Sequence, residues 1–197
     1  MKKKFNNFLK KCYDWALWVS SGKYALIALL CVSFMESSFF PIPPDVLLIP
    51  LLLARRTQAF RIAFYTTLAS VLGGYFGYAI GFFAFQSIEP YLSTGFLSKI
   101  EWFSAQYNHY GAWIVFGAGI TPFPYKIITI ASGLTGLNLW VFTMASVLAR
   151  GLRFYLIAWL LWKYGEPMKA FIEKNLGWLS LAFFVLLIGC FGLIALF

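Results

Sequence analysis

Between Arg61 and Glu89 the chain runs for 27 residues, IAFYTTLASVLGGYFGYAIGFFAFQSI, without a formal charge. A helix of about 20 apolar residues crosses a ~30 Å hydrocarbon core, so this run predicts a spanning helix over residues 62–88. Backbone groups in hydrocarbon must be satisfied within the protein, which favours helices throughout. Composition agrees. Hydrophobic residues make up 61% of the 197 and charged residues 12%, against about 25% charged in soluble domains. The length allows one integral membrane domain. The three cysteines, Cys12, Cys31 and Cys190, have neither metal-ligand nor disulfide spacing and read as isolated thiols.

Two further spans are expected. Residues 176–197 are uncharged throughout, and residues 138–162 are interrupted only by Arg150 and Arg153. The opening residues place Phe5, Phe8, Leu9, Cys12, Trp15, Ala16 and Val19 at helical spacing among lysines. That pattern predicts an amphipathic interfacial helix over residues 1–23 rather than a cleavable signal.

Other apolar runs are too short to cross. Residues 24–35 end at Glu36, and residues 46–54 lie between Asp45 and Arg55. Nine residues at 1.5 Å rise cover about 14 Å, roughly half of the hydrocarbon core. Between the two runs stands ESSFFPIPPD, with Pro41, Pro43 and Pro44 flanked by two carboxylates. Proline ends a helix, and a carboxylate in hydrocarbon costs roughly 2.5–3.5 kcal/mol on insertion scales. The expected element is a re-entrant hairpin over residues 24–54, entering and leaving on the same side.

The arrangement recurs. GITPFPYK places Pro122 and Pro124 in a second apolar run, predicting a re-entrant hairpin over residues 112–137. The spans that follow also match: LASVLGGYFGY from Leu68 resembles MASVLARGLRF from Met144. One crossing separates the hairpins, so they enter from opposite faces. The fold class expected is therefore an all-α polytopic membrane protein. It is an inverted repeat of re-entrant hairpin plus spanning helix, with its site near the midplane. With the N-terminus cytoplasmic, twelve of the sixteen Lys and Arg residues face the cytoplasm, as the positive-inside rule requires. Residues 89–111 become an external connector whose His109 reads as a solvated loop residue.

Five ionisable residues remain inside the membrane region: Glu36, Asp45, Lys126, Arg150 and Arg153. Intramembrane charges are functional candidates by default. Two acids face three bases, which leaves a positive charge able to take an anion; Arg offers a planar fork for phosphate and Lys a point charge. Pairing alone is the competing reading, Glu36 with Arg150 and Asp45 with Lys126. Gly73, Gly77 and Gly81 recur every fourth residue and predict close helix packing. Gly74 and Gly77 stand where the second copy has Arg150 and Arg153, so they could also make room for a headgroup.

The motif Glu36-Ser-Ser-x-x-Pro-x-Pro-x-Asp45, with GITPFPYK and the following Ser132-Gly133, resembles the DedA family and its YqaA-like branch. That family shares a domain with the SNARE-associated Golgi and VTT-domain proteins. The resemblance covers roughly residues 24–165. It implies a multi-pass protein of the bacterial inner membrane, with members that move polyprenyl-phosphate carriers or phospholipids, often with dependence on the proton motive force. It carries the family's acidic pair to Glu36 and Asp45 and its post-tip base to Lys126. The sequence departs where many members have an arginine before the second tip; Gly119 and Ile120 stand there.

The expected function is a membrane lipid translocase, flippase- or scramblase-like. A phosphate headgroup is held by Lys126, Arg150 and Arg153, and Glu36 and Asp45 gate or couple to protons. The alternatives are a proton-coupled small-ion transporter and a non-transporting assembly factor. No enzyme is expected, because no nucleophile–base pair, phosphate-cradling glycine loop or metal-ligand cluster occurs. The expected partners are membrane lipids with anionic phosphate headgroups and protons, compatible with a homo-oligomer. Neither nucleic acid nor any cofactor or metal is expected.

Overall fold

The computed structural model describes residues 24–40, 43–121, 123–165 and 167. The expected interfacial helix at 1–23 and the C-terminal span at 176–197 lie outside the described residues, as do Pro41, Pro122, Cys12 and Cys190. Six α-helices form the described chain: α1 (Ala25–Ser38), α2 (Asp45–Ala54), α3 (Ala59–Ile88), α4 (Thr94–Ile120), α5 (Tyr125–Leu134) and α6 (Leu139–Tyr164). Helices α3, with its flanking turns, and α6 are long and apolar enough to cross a membrane; α1, α2 and α5 are apolar but shorter.

The breaks fall where proline chemistry puts them. Helix α1 stops at Ser38, ahead of the 41–44 cluster, and α2 starts directly after Pro44 with Asp45 in its first turn. Proline suits a helix start, and an acid there meets the positive end of the helix dipole. Pro124 likewise precedes α5. Helix α6 opens on an Asn138 cap, whose Oδ1 accepts hydrogen bonds from the backbone N–H of Trp140 at 2.9 Å and of Val141 at 3.4 Å.

One expected boundary is absent. The connector at 89–111 and the first arm of the second hairpin at 112–120 are not separate elements, because α4 runs unbroken through 27 residues. Gly111 is the only helix breaker near that position, and it is retained inside the helix. An added Cβ there would stand 2.4 Å from Leu137 Cδ1, so the glycine serves a close approach rather than a turn. The second unit is thus one full-length helix followed by a short return helix. The first unit has a shorter entry helix.

Contacts fix the relative directions. Ser33 Oγ donates to the Thr66 carbonyl and Ser38 Oγ to that of Gly73, so α1 and α3 run parallel. Gly119 lies against Ala149 and Arg153 reaches the Thr121 carbonyl, while Gly111 lies against Leu137, so α4 and α6 also run parallel. Phe60 meets Trp162 and Tyr75 meets Thr143, so α3 and α6 are antiparallel. The two helix–tip–helix units therefore point in opposite directions. Each has its own apolar core. Leu29, Leu48 and Leu52 pack with Phe154 and Leu161 in one, and Val115, Tyr125 and Phe142 pack in the other. A layer of buried hydroxyls and charges lies between them.

Candidate functional site

Helix α6 carries both arginines into that layer, one turn apart. Arg150 is 1% exposed. Its Nη2 forms an ion pair with Glu36 Oε2 and a 3.2 Å hydrogen bond to Ser37 Oγ, and its Nε donates to Ser70 Oγ at 2.6 Å. The guanidinium carbon lies 4.7 Å from the Tyr125 ring centroid and 5.1 Å from that of Phe154, so the ion sits between two aromatic faces. Tyr125 in turn donates its hydroxyl proton to Ser146 Oγ.

Arg153 bridges the tips of both units. Its Nη2 pairs with Asp45 Oδ2 at the start of α2, and its Nη1 donates to the Thr121 carbonyl at the end of α4, at 2.8 Å. This pair is more open than the first, with side-chain exposures of 13% for Arg153 and 23% for Asp45. The second carboxylate oxygen, Asp45 Oδ1, is buried and accepts no hydrogen bond from the described residues.

Lys126 sits in the first turn of α5 and points the other way across the tips. Its Nζ reaches the Phe39 carbonyl, at the end of α1, at 3.5 Å. No carboxylate among the described residues lies within ion-pair distance of it. Each tip thus has its terminal carbonyl met by a cation, Lys126 of the second unit at Phe39 and Arg153 of α6 at Thr121, where the helix dipole is negative. Thr129 adds a neutral link, donating from Oγ1 to the Ser37 carbonyl at 2.9 Å.

The five expected charged residues therefore do converge, with a division of labour that the sequence did not reveal. Asp45 takes Arg153 and not Lys126 as its partner, because α6 packs along α2 and brings the longer side chain to it. Arg150 is enclosed, with its Nε and Nη2 both engaged, so Arg153 and Lys126 are the cations nearest open space. Among the tip prolines, Pro44 is buried, and Pro43 and Pro124 are exposed.

The glycines of α3 all face protein. An added Cβ would stand 2.1 Å from the Phe34 carbonyl oxygen at Gly73, 2.3 Å from Thr129 Oγ1 at Gly77 and 2.0 Å from the Ile130 carbonyl oxygen at Gly81. Gly74 faces the Phe142 ring at 3.3 Å. The room opposite the arginines is filled by Thr129, Ser37 and Phe142, so these glycines dock the short helices rather than leave space for a headgroup. Sequence reasoning missed the serines. Ser70 and Ser146 hold the same place in the two ASVL copies, and each binds a polar group of the middle layer. That duplication was the available signal.

The sequence has known relatives. The VTT domain profile matches residues 42–163, which is more than half of the chain and includes Asp45, Lys126, Arg150 and Arg153. An uncharacterized protein of Haemophilus influenzae is 37% identical over 174 residues, covering 84% of this chain and 88% of the relative. An uncharacterized homologue from Histophilus somni is 35% identical over 171 residues, covering 84% of this chain and 89% of its own. No solved structure matches. With its apolar helices, opposed units and matching domain, the chain belongs to the VTT-domain family of DedA-type membrane proteins.

Proposed function

We propose that this protein is a carrier rather than an enzyme, a translocase that moves a phosphate-headgroup lipid across the bacterial inner membrane. The observation that carries the reading is the charge arrangement at the crossed tips. Glu36 and Asp45 are each paired with an arginine, and Lys126 has no carboxylate partner among the described residues. A positive group flanked by apolar helices attracts an anion that can stay in the membrane, and a lipid phosphate meets both conditions.

The two ion pairs take different roles. Glu36–Arg150, enclosed by serines and aromatic rings, is the fixed frame. Asp45–Arg153 is the working pair. A phosphate held at Lys126 competes with Asp45 for the Arg153 fork. A proton arriving at Asp45 Oδ1 removes the carboxylate charge and releases Arg153 to the phosphate; departure of the proton restores the pair and expels the headgroup. Coupling to a pH gradient follows from this exchange. The units enter the membrane as re-entrant hairpins from opposite faces, with the N-terminus cytoplasmic. The tips then meet near the midplane.

The test is reconstitution into liposomes with a labelled phosphate lipid and no soluble solute, with and without a pH gradient. Wild type moves the label. Lys126→Ala inserts normally, since removing an intramembrane charge eases insertion, but loses movement. Full-rate transport by a Lys126→Ala, Arg153→Ala double variant would sink the proposal.

A further inference from the structure

One side of α6 is left uncovered by the described helices. Val141, Met144, Leu148, Leu152, Tyr155 and Trp159 recur at steps of three and four and are 38–62% exposed. Residues at these steps share one face of a helix, so they form a single apolar stripe about 27 Å long at 1.5 Å per residue. From Val141 to Leu148 the stripe borders an open groove against α4, where Ala112 and Ala145 are too small to fill the space. Exposure alone selects no occupant in a membrane protein, since α3 also shows Phe64, Leu68, Leu72 and Phe76 on its outer face. What sets the α6 stripe apart is the way the chain leaves it.

Helix α6 ends at Tyr164, and Gly165 turns the backbone with φ +56°, in the left-handed region that glycine adopts freely. Arg56 lies against this turn. Its Nη2 holds the Trp162 carbonyl, and a Cβ added to Gly165 would stand 2.4 Å from its Cζ. The side toward the first unit is thus closed, and the side of the stripe, with exposed Trp159, is open. The uncharged run 176–197 follows. As a spanning helix it is about 33 Å long, starts at the end of the bundle where α6 stops, and runs antiparallel to α6. Consecutive elements lie beside each other roughly two-thirds of the time, and joined antiparallel helices pack as a hairpin. The run also has a face suited to a bulky stripe. Ala182, Val185, Gly189 and Gly192 recur at steps of three and four, and small residues let helices approach closely in a membrane. We infer that residues 176–197 pack antiparallel on the exposed stripe of α6, with the Ala182–Gly192 face toward it. The segment braces the helix that carries Arg150 and Arg153, whatever the protein transports.

The experiment uses the full chain in phosphatidylcholine vesicles, with Cys12, Cys31 and Cys190 replaced by serine. Nine residues separate Val185 from Leu176, and nine separate Tyr155 from Tyr164, so the two fall at one depth when the run starts level with the end of α6. Val185→Cys is paired in turn with Leu152→Cys, Tyr155→Cys and Trp159→Cys, which bracket that register by one turn. After mild oxidation, mass spectrometry of the monomer reads the fraction joined by a disulfide within the chain. At least one of the three pairs is expected to exceed several-fold the yield with Tyr65→Cys. Tyr65 is exposed on α3 little more than a turn from Phe60, which stacks with Tyr155. Moving the segment cysteine to Phe184→Cys, on the opposite side of a helix, should cut the yield several-fold. All four bundle positions are exposed, so the cysteines there leave the fold intact. Disulfides joining two chains at the stripe would give it to a second copy. Absence of a disulfide at all three stripe positions would leave it to lipid, and a Tyr65→Cys yield equal to theirs would put the segment on α3. Each of these results overturns the inference, as does an equal yield from Phe184→Cys.

Discussion

Arg150 and Arg153 lie three residues apart on one helix, yet their surroundings give them different energetics. Arg150 is 1% exposed, and its Glu36 partner is the charge that makes its burial tolerable. Removing one partner of a buried pair costs roughly 3–5 kcal/mol, because a charge is left without compensation. Glu36→Ala should therefore lower the melting temperature in detergent sharply and reduce the yield of monodisperse protein. A Glu36→Leu, Arg150→Met double variant should recover much of that loss. If the double variant melts no higher than Glu36→Ala, the pair is not the frame described. Asp45 differs, with one oxygen on Arg153, the other without a partner among the described residues, and 23% of its side chain exposed. Asp45→Asn should fold and still retain labelled lipid, but its transport should lose all acceleration by an imposed pH gradient. Acceleration equal to wild type would remove Asp45 from the coupling step.

At the scale of elements, the short helices are held by α3 through backbone contact rather than by their own length. Helices of 10 and 14 residues are marginal alone, so their stability comes from what they pack against. Gly73 lets the backbone of α1 close on α3, and Gly81 does the same for α5. In each case the added methyl would meet a carbonyl, which cannot rotate away. Gly73→Ala and Gly81→Ala should each force the hairpin off α3, seen as aggregation in size-exclusion chromatography and increased proteolysis at the tips. Gly117 is the internal control. Nothing lies within 4 Å of its added Cβ, so Gly117→Ala should be neutral or raise stability by up to about 1 kcal/mol through helix propensity. A thermal-shift comparison of the three variants checks the order, and equal melting points would contradict it.

For the whole molecule the inverted repeat makes a statement about sides. Helix α3 joins the 56–58 turn, which holds exposed Thr57, to the start of α4, which holds exposed Thr94. A cysteine at Thr57 should react with an impermeant maleimide only from the cytoplasmic face and one at Thr94 only from the outside, in a background with Cys12, Cys31 and Cys190 all replaced by serine. Both labelling from one face would refute the topology. The end of the bundle that carries Thr57 has its own tie. Arg56 Nη2 donates to the Trp162 carbonyl at 2.9 Å, joining the exit of the first unit to the end of α6.

The sequence by itself determined the class and the break points. A 27-residue run without charge gives a helix long and apolar enough to span a membrane, and the proline clusters at the tips break the helices, because both are properties of the local chain. It also brought the five ionisable residues to one level, since the ASVL repeat and the paired proline tips impose a common geometry. It placed a boundary at Gly111 that the chain does not use, because whether a glycine bends a helix or lets a neighbour approach depends on whether Leu137 is there to fill the notch. Nor could it say which base pairs with which acid. Lys126 and Arg153 are equally suited to Asp45 in charge, and only the packing of α6 along α2, with α5 turned toward Phe39, decides that Arg153 reaches the carboxylate and Lys126 the Phe39 carbonyl.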